Sequence, residues 1–179
     1  MYLNNNFENP SVAIAYDSRN MSEDFAKATD LTFAANKVKV YLFESLRPTP
    51  MLSFTVRELN CSGGVVITAS HNPKQYNGYK VYGQDGGQIT DEGVDEILSY
   101  INNIDIFKDV KTISEEEAME KGLLQYIGED IDKVYIEKVK SLILRKELVK
   151  EKAKDLNIIY TPIHGSGLMP IKRVLTELG

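Results

Sequence analysis

Residues 63–73 read GGVVITASHNP and join a short apolar run to a polar segment without a break. Two glycines, Gly63 and Gly64, open the run, and three β-branched residues follow them. β-Branched residues bounded by turn-forming residues are typical of a buried strand. The small and polar residues 68–73 therefore predict a tight loop that begins where this strand ends, with Ser70 near its centre.

Similar apolar runs lie on both sides of this stretch and predict three further strands, over residues 12–16, 38–42 and 79–82. Apolar residues at helical spacing predict helices near these strands, and Ser22 and Asp91 are expected to be the N-cap residues of two of them. Strands and helices that alternate in this way predict an α/β fold built in layers.

A second pattern occupies the C-terminal part of the sequence. A long amphipathic helix is predicted over residues 131–143, and a charged segment follows it. Residues 158–160 are apolar and predict a strand, and residues 171–178 predict a last helix. We therefore predict a first domain over residues 1–128 and the beginning of a second α/β domain over residues 129–179.

The chain has 179 residues, of which 42% are hydrophobic and 26% are charged, and its net charge is −5. This composition is typical of a soluble globular protein and argues against a dedicated nucleic-acid binder. Cys61 is the only cysteine, so an intrachain disulfide is excluded and a reducing compartment is favoured. No apolar run approaches the ~20 residues of a membrane span. The polar start does not resemble a secretory signal, so we predict a cytoplasmic protein that does not bind membranes.

Polar residues follow three of the predicted strands, at residues 17–19, 68–73 and 161–167. Ligands of open α/β sheets bind outside the carboxyl ends of the strands, so these loops predict one functional edge. Ser70 is the candidate nucleophile there, and a serine hydroxyl needs a base or a cation to become reactive. Its surroundings contain neither the G-x-S-x-G motif nor a P-loop. From the residues alone, a turn whose polar side chains bond to nearby backbone groups is an open alternative.

Residues 68–73 (TASHNP) resemble the phosphoserine loop of the α-D-phosphohexomutase superfamily, which includes phosphoglucomutases and phosphomannomutases. The resemblance extends through residues 77–82 (NGYKVY) and 87–89 (GQI), and it includes residues 16–19 (YDSR) and 48–50 (PTP). It implies a layered α/β/α domain with a mixed sheet, expected to be truncated at its N-terminus, followed by the truncated start of a second, similar domain.

By this resemblance, Ser70 carries a phosphoryl group that is exchanged with a hexose monophosphate through a sugar bisphosphate. The reaction would interconvert hexose 1-phosphates and hexose 6-phosphates, which makes the enzyme an intramolecular phosphotransferase of the isomerase class. Lys80 matches a lysine assigned to proton transfer or phosphate contact, and His71 matches the histidine of the motif. The alternatives are a solvated lysine at a sheet edge and a histidine that only supports the loop.

Four further residues are expected to bind phosphate groups: Ser18, Arg19, Asn72 and His164. Arg19 matches a family arginine near the phosphoserine, and a guanidinium suits two-point contact with a phosphate. The alternative for Arg19 is a structural ion pair with Asp17. His164 lies in a glycine-containing loop before the last predicted helix, where free backbone N–H groups favour anions. The alternative for His164 is a purely local role in its loop.

The resemblance also implies Mg²⁺, with the phosphate on Ser70 as one ligand and the other ligands outside this sequence, and glucose 1,6-bisphosphate as activator. The expected partners are a sugar phosphate and the remaining domains of the same polypeptide, so we expect the 179-residue chain to be inactive alone. Two alternatives are a phosphopentomutase of the same family and a non-catalytic α/β module that binds phosphosugars.

Overall fold

The computed structural model describes all 179 residues, apart from the side chain of Glu92. Five strands and eight α-helices follow one another along the chain. None of these helices, within the part of the chain described, is long and apolar enough to cross a membrane. In chain order the elements are α1 (Tyr2–Asn6), β1 (Ser11–Tyr16), α2 (Ser22–Ala35), β2 (Lys39–Phe43), α3 (Thr49–Glu58), β3 (Gly63–Ile67), β4 (Tyr79–Gly83), α4 (Asp91–Ile101), α5 (Glu115–Glu120), β5 (Leu124–Ile127), α6 (Glu129–Ser141), α7 (Lys146–Lys152) and α8 (Leu168–Leu178).

The strands form one mixed sheet in the order β4-β3-β1-β2-β5. Four strands are parallel, and β4 runs antiparallel to β3 at the edge of the sheet. Tyr16 at the end of β1 is in register with Ile67 at the end of β3. The residues that follow these two central strands therefore leave the sheet side by side, as the sequence predicts.

Helices cover both faces of the sheet, which confirms the predicted α/β/α arrangement. Val12 and Ile14 of β1 belong to an apolar cluster with residues of α2 and α5. Ala13 and Ala15 belong to a second cluster with residues of α3 and α6. Alternate residues of a strand point to opposite faces, so the central strand is buried on both sides.

Helix α6 packs on the same face of the sheet as α3. Ile131 is buried in the cluster that contains the α3 residues, and the ring of Tyr135 contacts that of Phe54 edge-on at 5.4 Å between centroids. Arg47, in the loop after β2, donates from Nε and Nη2 to the carboxylate of Asp132 on α6 at 2.8 and 2.6 Å. These contacts attach α6 to the five-stranded sheet. The predicted domain boundary between residues 128 and 129 stays a prediction.

The prediction of a strand at residues 158–160 is wrong. These residues form no strand, and Ile159 is 99% exposed. A strand needs a neighbour that satisfies its backbone N–H and C=O groups, and the described part of the chain provides none beside this segment. The last predicted helix is present as α8, and Arg173 of α8 forms an ion pair with Glu129 of α6 at 2.9 Å.

Neither of the two predicted N-cap residues occupies the cap position. Met21 is the N-cap of α2, and Ser22 is its first helical residue, whose Oγ donates instead to Asp17 Oδ1 at 2.8 Å. Thr90, and not Asp91, is the N-cap of α4. The sequence patterns also did not predict the short elements α1, α5 and β5.

The ion pair between Arg47 and Asp132 yields a test of how α6 is held. Both side chains are buried, so Asp132→Ala leaves a guanidinium without its carboxylate, and we expect a loss of about 3–5 kcal/mol in the free energy of unfolding. Glu129→Ala, on the same helix, removes only the exposed partner of Arg173 and is expected to cost less than about 1 kcal/mol. Urea unfolding of both variants measures the difference, and equal losses would contradict this role for Asp132.

Asp30 of α2 predicts a pH dependence of stability. Its side chain is buried, Oδ1 has no hydrogen-bond partner, and burial raises the pKa of the carboxyl from 3.8 to about 7. The folded state holds this proton more tightly than the unfolded state, so its contribution to stability is complete below about pH 4 and is lost as the pH rises through about 7.

We therefore expect the wild type to lose on the order of 2 kcal/mol of unfolding free energy between pH 5 and pH 8 because Asp30 ionises. Asp30→Asn removes the ionisable group, so the variant is expected to lack this loss. Urea unfolding at the two pH values measures this, and the exposed residue Asp95 supplies the control Asp95→Asn, for which no such difference is expected. The interpretation of Asp30 fails if wild type and Asp30→Asn lose stability in parallel between the two pH values.

Candidate active site

The loop after β3 holds Ser70 in an uncommon backbone conformation. Thr68 N donates to Gly78 O at 2.9 Å, which closes the loop, and Ser70 N donates to Thr68 Oγ1 at 3.0 Å. Ser70 has a φ of 54°, in the left-handed region that residues other than glycine seldom adopt. Such a conformation persists only where its surroundings fix it, so the contacts of this loop determine where the Ser70 side chain lies.

Strand β4 returns beside β3 and carries Lys80 to this serine. Lys80 is in register with Val66, and its Nζ donates to Ser70 Oγ at 2.6 Å. An ammonium group at this distance stabilises negative charge that develops on the serine oxygen. The structure thus brings together two of the residues that the sequence predicted to be catalytic.

Arg19, in the loop after β1, contacts the backbone of the serine loop. Its Nη2 donates to Ser70 O at 2.8 Å and Asn72 O at 2.6 Å, and its Nη1 donates to Pro73 O at 3.1 Å and Tyr76 O at 3.0 Å. The side chain is only 14% exposed. Its predicted contact with a substrate phosphate stays a prediction, and in this conformation the terminal nitrogens already serve four carbonyl oxygens.

A polar network supports Arg19 from the other side. Asp17 Oδ1 accepts hydrogen bonds from Arg19 N at 2.9 Å and Ser22 Oγ at 2.8 Å, while Asp17 Oδ2 lies 3.5 Å from Arg19 Nε. Asn77 Nδ2 donates to Ser22 Oγ at 2.9 Å and to Asn20 O at 3.2 Å. The start of α2 and the end of the serine loop are therefore joined.

These loops surround an open cleft of about 610 Å³ at the carboxyl ends of β1 and β3. The side chains that line it include more basic than acidic groups, with Arg19, Arg47 and Lys74 against Asp17. Arg47 is paired with Asp132, whereas Lys74 is exposed. A cleft with this balance of charge favours an anionic ligand.

The other predicted site residues also line this cleft: Ser18, His71, Asn72 and His164. Ser18 Oγ donates to the carbonyl oxygen of His164 at 2.5 Å, which joins the loop after β1 to the loop before α8. Both histidines are exposed at the cleft. With Lys80 bonded to Ser70, each of the seven predicted side chains lies at one site, and their individual roles stay predictions.

The residues described here do not make a metal site by themselves. No group of three or more histidine, cysteine or acidic side chains lies close enough to hold an ion among the described residues. Asp17, the carboxylate at the cleft, is already bonded to Arg19 and Ser22. The predicted Mg²⁺ ligation through a phosphate on Ser70 therefore needs ligands from outside these residues, and it stays a prediction.

Several residues of the site carry no signal that single-sequence reasoning can use. The contact between Ser22 and Asn77 joins residues that are 55 positions apart in the chain. The Thr68 hydroxyl accepts from Ser70 N only because the backbone of the loop bends there, which the residue types alone do not show. Lys74 follows the motif directly, and its position after Pro73 is the one signal that could have marked it as a cleft residue.

The structure is an α/β/α domain with a serine in a cleft that is lined by more basic than acidic side chains. Residues 1–107 match the family model described as phosphoglucomutase/phosphomannomutase, alpha/beta/alpha domain I. The chain therefore belongs to the phosphoglucomutase/phosphomannomutase family, as its motifs indicate.

Similar proteins agree with this assignment. A phosphoglucomutase from Staphylococcus saprophyticus is 35% identical over 177 residues, and one from Staphylococcus haemolyticus is 38% identical over 177 residues. Each match covers 99% of this chain and 31% of the relative, so the chain spans about a third of the length of these relatives.

Solved structures give the same result. A protein from Thermus thermophilus that is described as a phosphomannomutase aligns with a TM-score of 0.80 and 27% identity, over 99% of this chain and 37% of that one. The open form of the phosphoglucomutase parafusin from Paramecium aligns with a TM-score of 0.71 over 94% of this chain and 34% of that one; at 20% identity, this match supports the fold alone.

Gly78 yields a test of the loop geometry. A Cβ at this position would lie 2.6 Å from Thr68 O, so Gly78→Ala must displace the backbone that closes the loop. We expect a loss of about 1–3 kcal/mol in the free energy of unfolding, together with shifted amide NMR signals of Ser70 and its neighbours.

The matched control is Gly93→Ala in α4, where the added Cβ would meet Ile89 Cβ at 3.7 Å, an ordinary contact distance. This substitution in a helix is expected to leave the Ser70 signals in place and to raise stability by about 0.5–1 kcal/mol. Unchanged Ser70 signals in Gly78→Ala would show that the close approach of residues 68 and 78 does not set the loop.

Proposed function

We propose that this chain carries the phosphoryl-transferring serine of a phosphohexomutase, and that Ser70 Oγ is the atom that accepts and donates the phosphoryl group. The observation that carries the proposal is the 2.6 Å contact between Lys80 Nζ and Ser70 Oγ in a cleft with a surplus of basic groups. Membership of the phosphoglucomutase/phosphomannomutase family supports the same reaction class.

The proposed exchange has two half-reactions. In the first, the bond between phosphorus and Ser70 Oγ breaks while a bond forms between phosphorus and a hydroxyl oxygen of a hexose monophosphate. That hydroxyl loses its proton, Ser70 Oγ gains one, and the product is a hexose bisphosphate. In the second, the other phosphoryl group of the bisphosphate returns to Ser70, which leaves the isomeric monophosphate. No oxidant or reductant is needed, so the catalytic demands are positioning and charge stabilisation.

Lys80 is placed to meet one of these demands. When the bond to Ser70 Oγ breaks, negative charge develops on that oxygen, and the Lys80 ammonium is the donor that contacts it. In the reverse half-reaction the same contact favours the serine alkoxide as nucleophile. This arrangement favours an enzyme over a module that only binds phosphosugars, because binding alone does not require a cation directed at the serine hydroxyl.

Other residues of the cleft would hold the substrate. Lys74, His71 and His164 line the cleft and would contact the phosphate that is not being transferred, and Ser18 and Asn72 would add polar contacts. Mg²⁺ and glucose 1,6-bisphosphate stay predictions, as do a cytoplasmic location and the preference for hexose over pentose phosphates. Because the chain spans about a third of its relatives, its inactivity in isolation is also a prediction.

A chimeric enzyme tests the proposal, with residues 1–179 joined to the remaining part of the Staphylococcus saprophyticus phosphoglucomutase, to which they are 35% identical. After incubation with glucose 1,6-bisphosphate and Mg²⁺, mass spectrometry is expected to find one phosphate on Ser70, and glucose 1-phosphate is expected to be converted to glucose 6-phosphate. Ser70→Ala is expected to lower turnover by at least about 10⁴-fold, since the covalent step is lost.

The matched control is Ser99→Ala, which changes an exposed serine on α4 and is expected to leave phosphorylation and turnover unchanged. Circular dichroism and thermal unfolding establish that each chimera is folded before activity is compared. Phosphate on a different residue, or full turnover in Ser70→Ala, would overturn the assignment of Ser70. Faster turnover with ribose 1-phosphate than with glucose 1-phosphate would favour the phosphopentomutase alternative.

A further inference from the structure

The guanidinium of Arg19 has no terminal N–H group left over for a ligand. A guanidinium presents four terminal N–H groups and one on Nε, in a fixed planar fork. The four terminal groups are matched by four carbonyl oxygens of the serine loop, and Nε faces the Asp17 carboxylate at 3.5 Å. A phosphate that bound to this side chain would have to break one of these bonds.

We propose that Arg19 is a positioning residue, which holds the backbone of residues 70–76 and thereby keeps Ser70 Oγ against Lys80. The four carbonyl oxygens converge on one guanidinium, and without it they would repel one another. Pro73 O would keep the amide of Tyr76 as a donor at 3.0 Å, whereas the oxygens of Ser70, Asn72 and Tyr76 would lose the Arg19 donor. A planar fork satisfies all four at once, whereas a lysine ammonium in the same place has only three donors.

The position of Ser70 depends directly on this contact. One of the four bonds is made to Ser70 O, on the residue whose φ of 54° needs external support. Residues 70–76 are all exposed, so apolar packing does not hold them in place. The hydrogen bonds of the Arg19 guanidinium therefore hold this loop in place, as burial of apolar side chains holds the segments in the core.

The network behind Arg19 fixes the fork in turn. Asp17 accepts from the backbone N and faces the Nε of Arg19, and it accepts from Ser22 Oγ at the start of α2. Asn77, at the far end of the loop, donates from Nδ2 to Ser22 Oγ at 2.9 Å. Both ends of the loop are thus attached to the segment that follows β1, and β1 is the central strand of the sheet.

The catalytic meaning of this inference rests on the proposed function, but its first test does not. Amide hydrogen exchange by NMR on the 179-residue chain, without substrate, compares wild type with Arg19→Ala and Arg19→Lys. The amides of Ser70, Asn72 and Tyr76 are expected to exchange at least about tenfold faster in both variants, because the loop opens more often. The amides of β1 and β3 serve as the internal control and are expected to keep their rates.

The lysine variant separates the two roles of Arg19. If Arg19 served only to neutralise a phosphate, Arg19→Lys would keep the charge and leave loop exchange at the wild-type rate, which would overturn the proposal. Guanidinium ion at millimolar concentration is expected to restore slow exchange in Arg19→Ala, whereas ammonium ion is not. If the amides of β1 and β3 also exchange faster in Arg19→Ala, that variant is destabilised as a whole. The exchange rates of the loop amides are then compared in Arg19→Lys and in Asn77→Ala, which is expected to loosen the same loop.

A second readout uses the chimeric enzyme. A positioning role predicts that Arg19→Lys lowers kcat by at least about tenfold with little change in KM for glucose 1-phosphate. A phosphate-binding role predicts a raised KM with a smaller change in kcat, and that result would contradict the proposal. Failure of Ser70 to become phosphorylated in wild type would remove the proposed function, while the exchange experiment would still decide whether Arg19 holds the loop.

Discussion

The antiparallel pairing of β4 with β3 is the constraint on which the site depends. It places Lys80 opposite Val66, and from there the ammonium reaches Ser70 Oγ. Side chains of a strand alternate between faces, so a shift of one residue in this register would direct Lys80 to the other side of the sheet. The register is protected by close backbone contact, since a Cβ on Gly63 would lie 2.9 Å from Tyr82 O. Gly63, at the start of β3, therefore contributes to the geometry of a site that lies at the other end of the strand.

The basic residues of the cleft divide into two groups. The two arginines are held in place, Arg47 by the carboxylate of Asp132 and Arg19 by carbonyl oxygens and Asp17. The lysines, Lys74 and Lys80, have long flexible side chains, and of the two only Lys80 is bonded to a described residue of the site, Ser70. The proposed reaction, in which a sugar bisphosphate presents first one phosphate and then the other, would be better served by flexible cations than by arginines that are fixed to the protein.

Much of the fold could be predicted from the sequence, because its central strands are short apolar runs that end in polar loops. The four strands from β1 to β4 and the convergence of two loops at one edge followed from these patterns. The strand β5 has only four residues and little apolar contrast, so it carried no usable signal. Residues 158–160 misled for the opposite reason: their apolar pattern is typical of a strand, but a strand also requires a partner that local sequence does not reveal.

The site, like the fold, could be predicted only in part. Residue identity and motif were sufficient to collect seven side chains that the structure places around one cleft. The part played by each contact was not accessible, because it depends on hydrogen bonds between residues that are far apart in the chain, such as the 55 positions that separate Ser22 from Asn77. Hydrogen bonds of this kind contribute about 1 kcal/mol each, so no single bond holds the loop, and several must form together. Together these bonds keep Ser70 Oγ 2.6 Å from Lys80 Nζ, although none of them alone is strong.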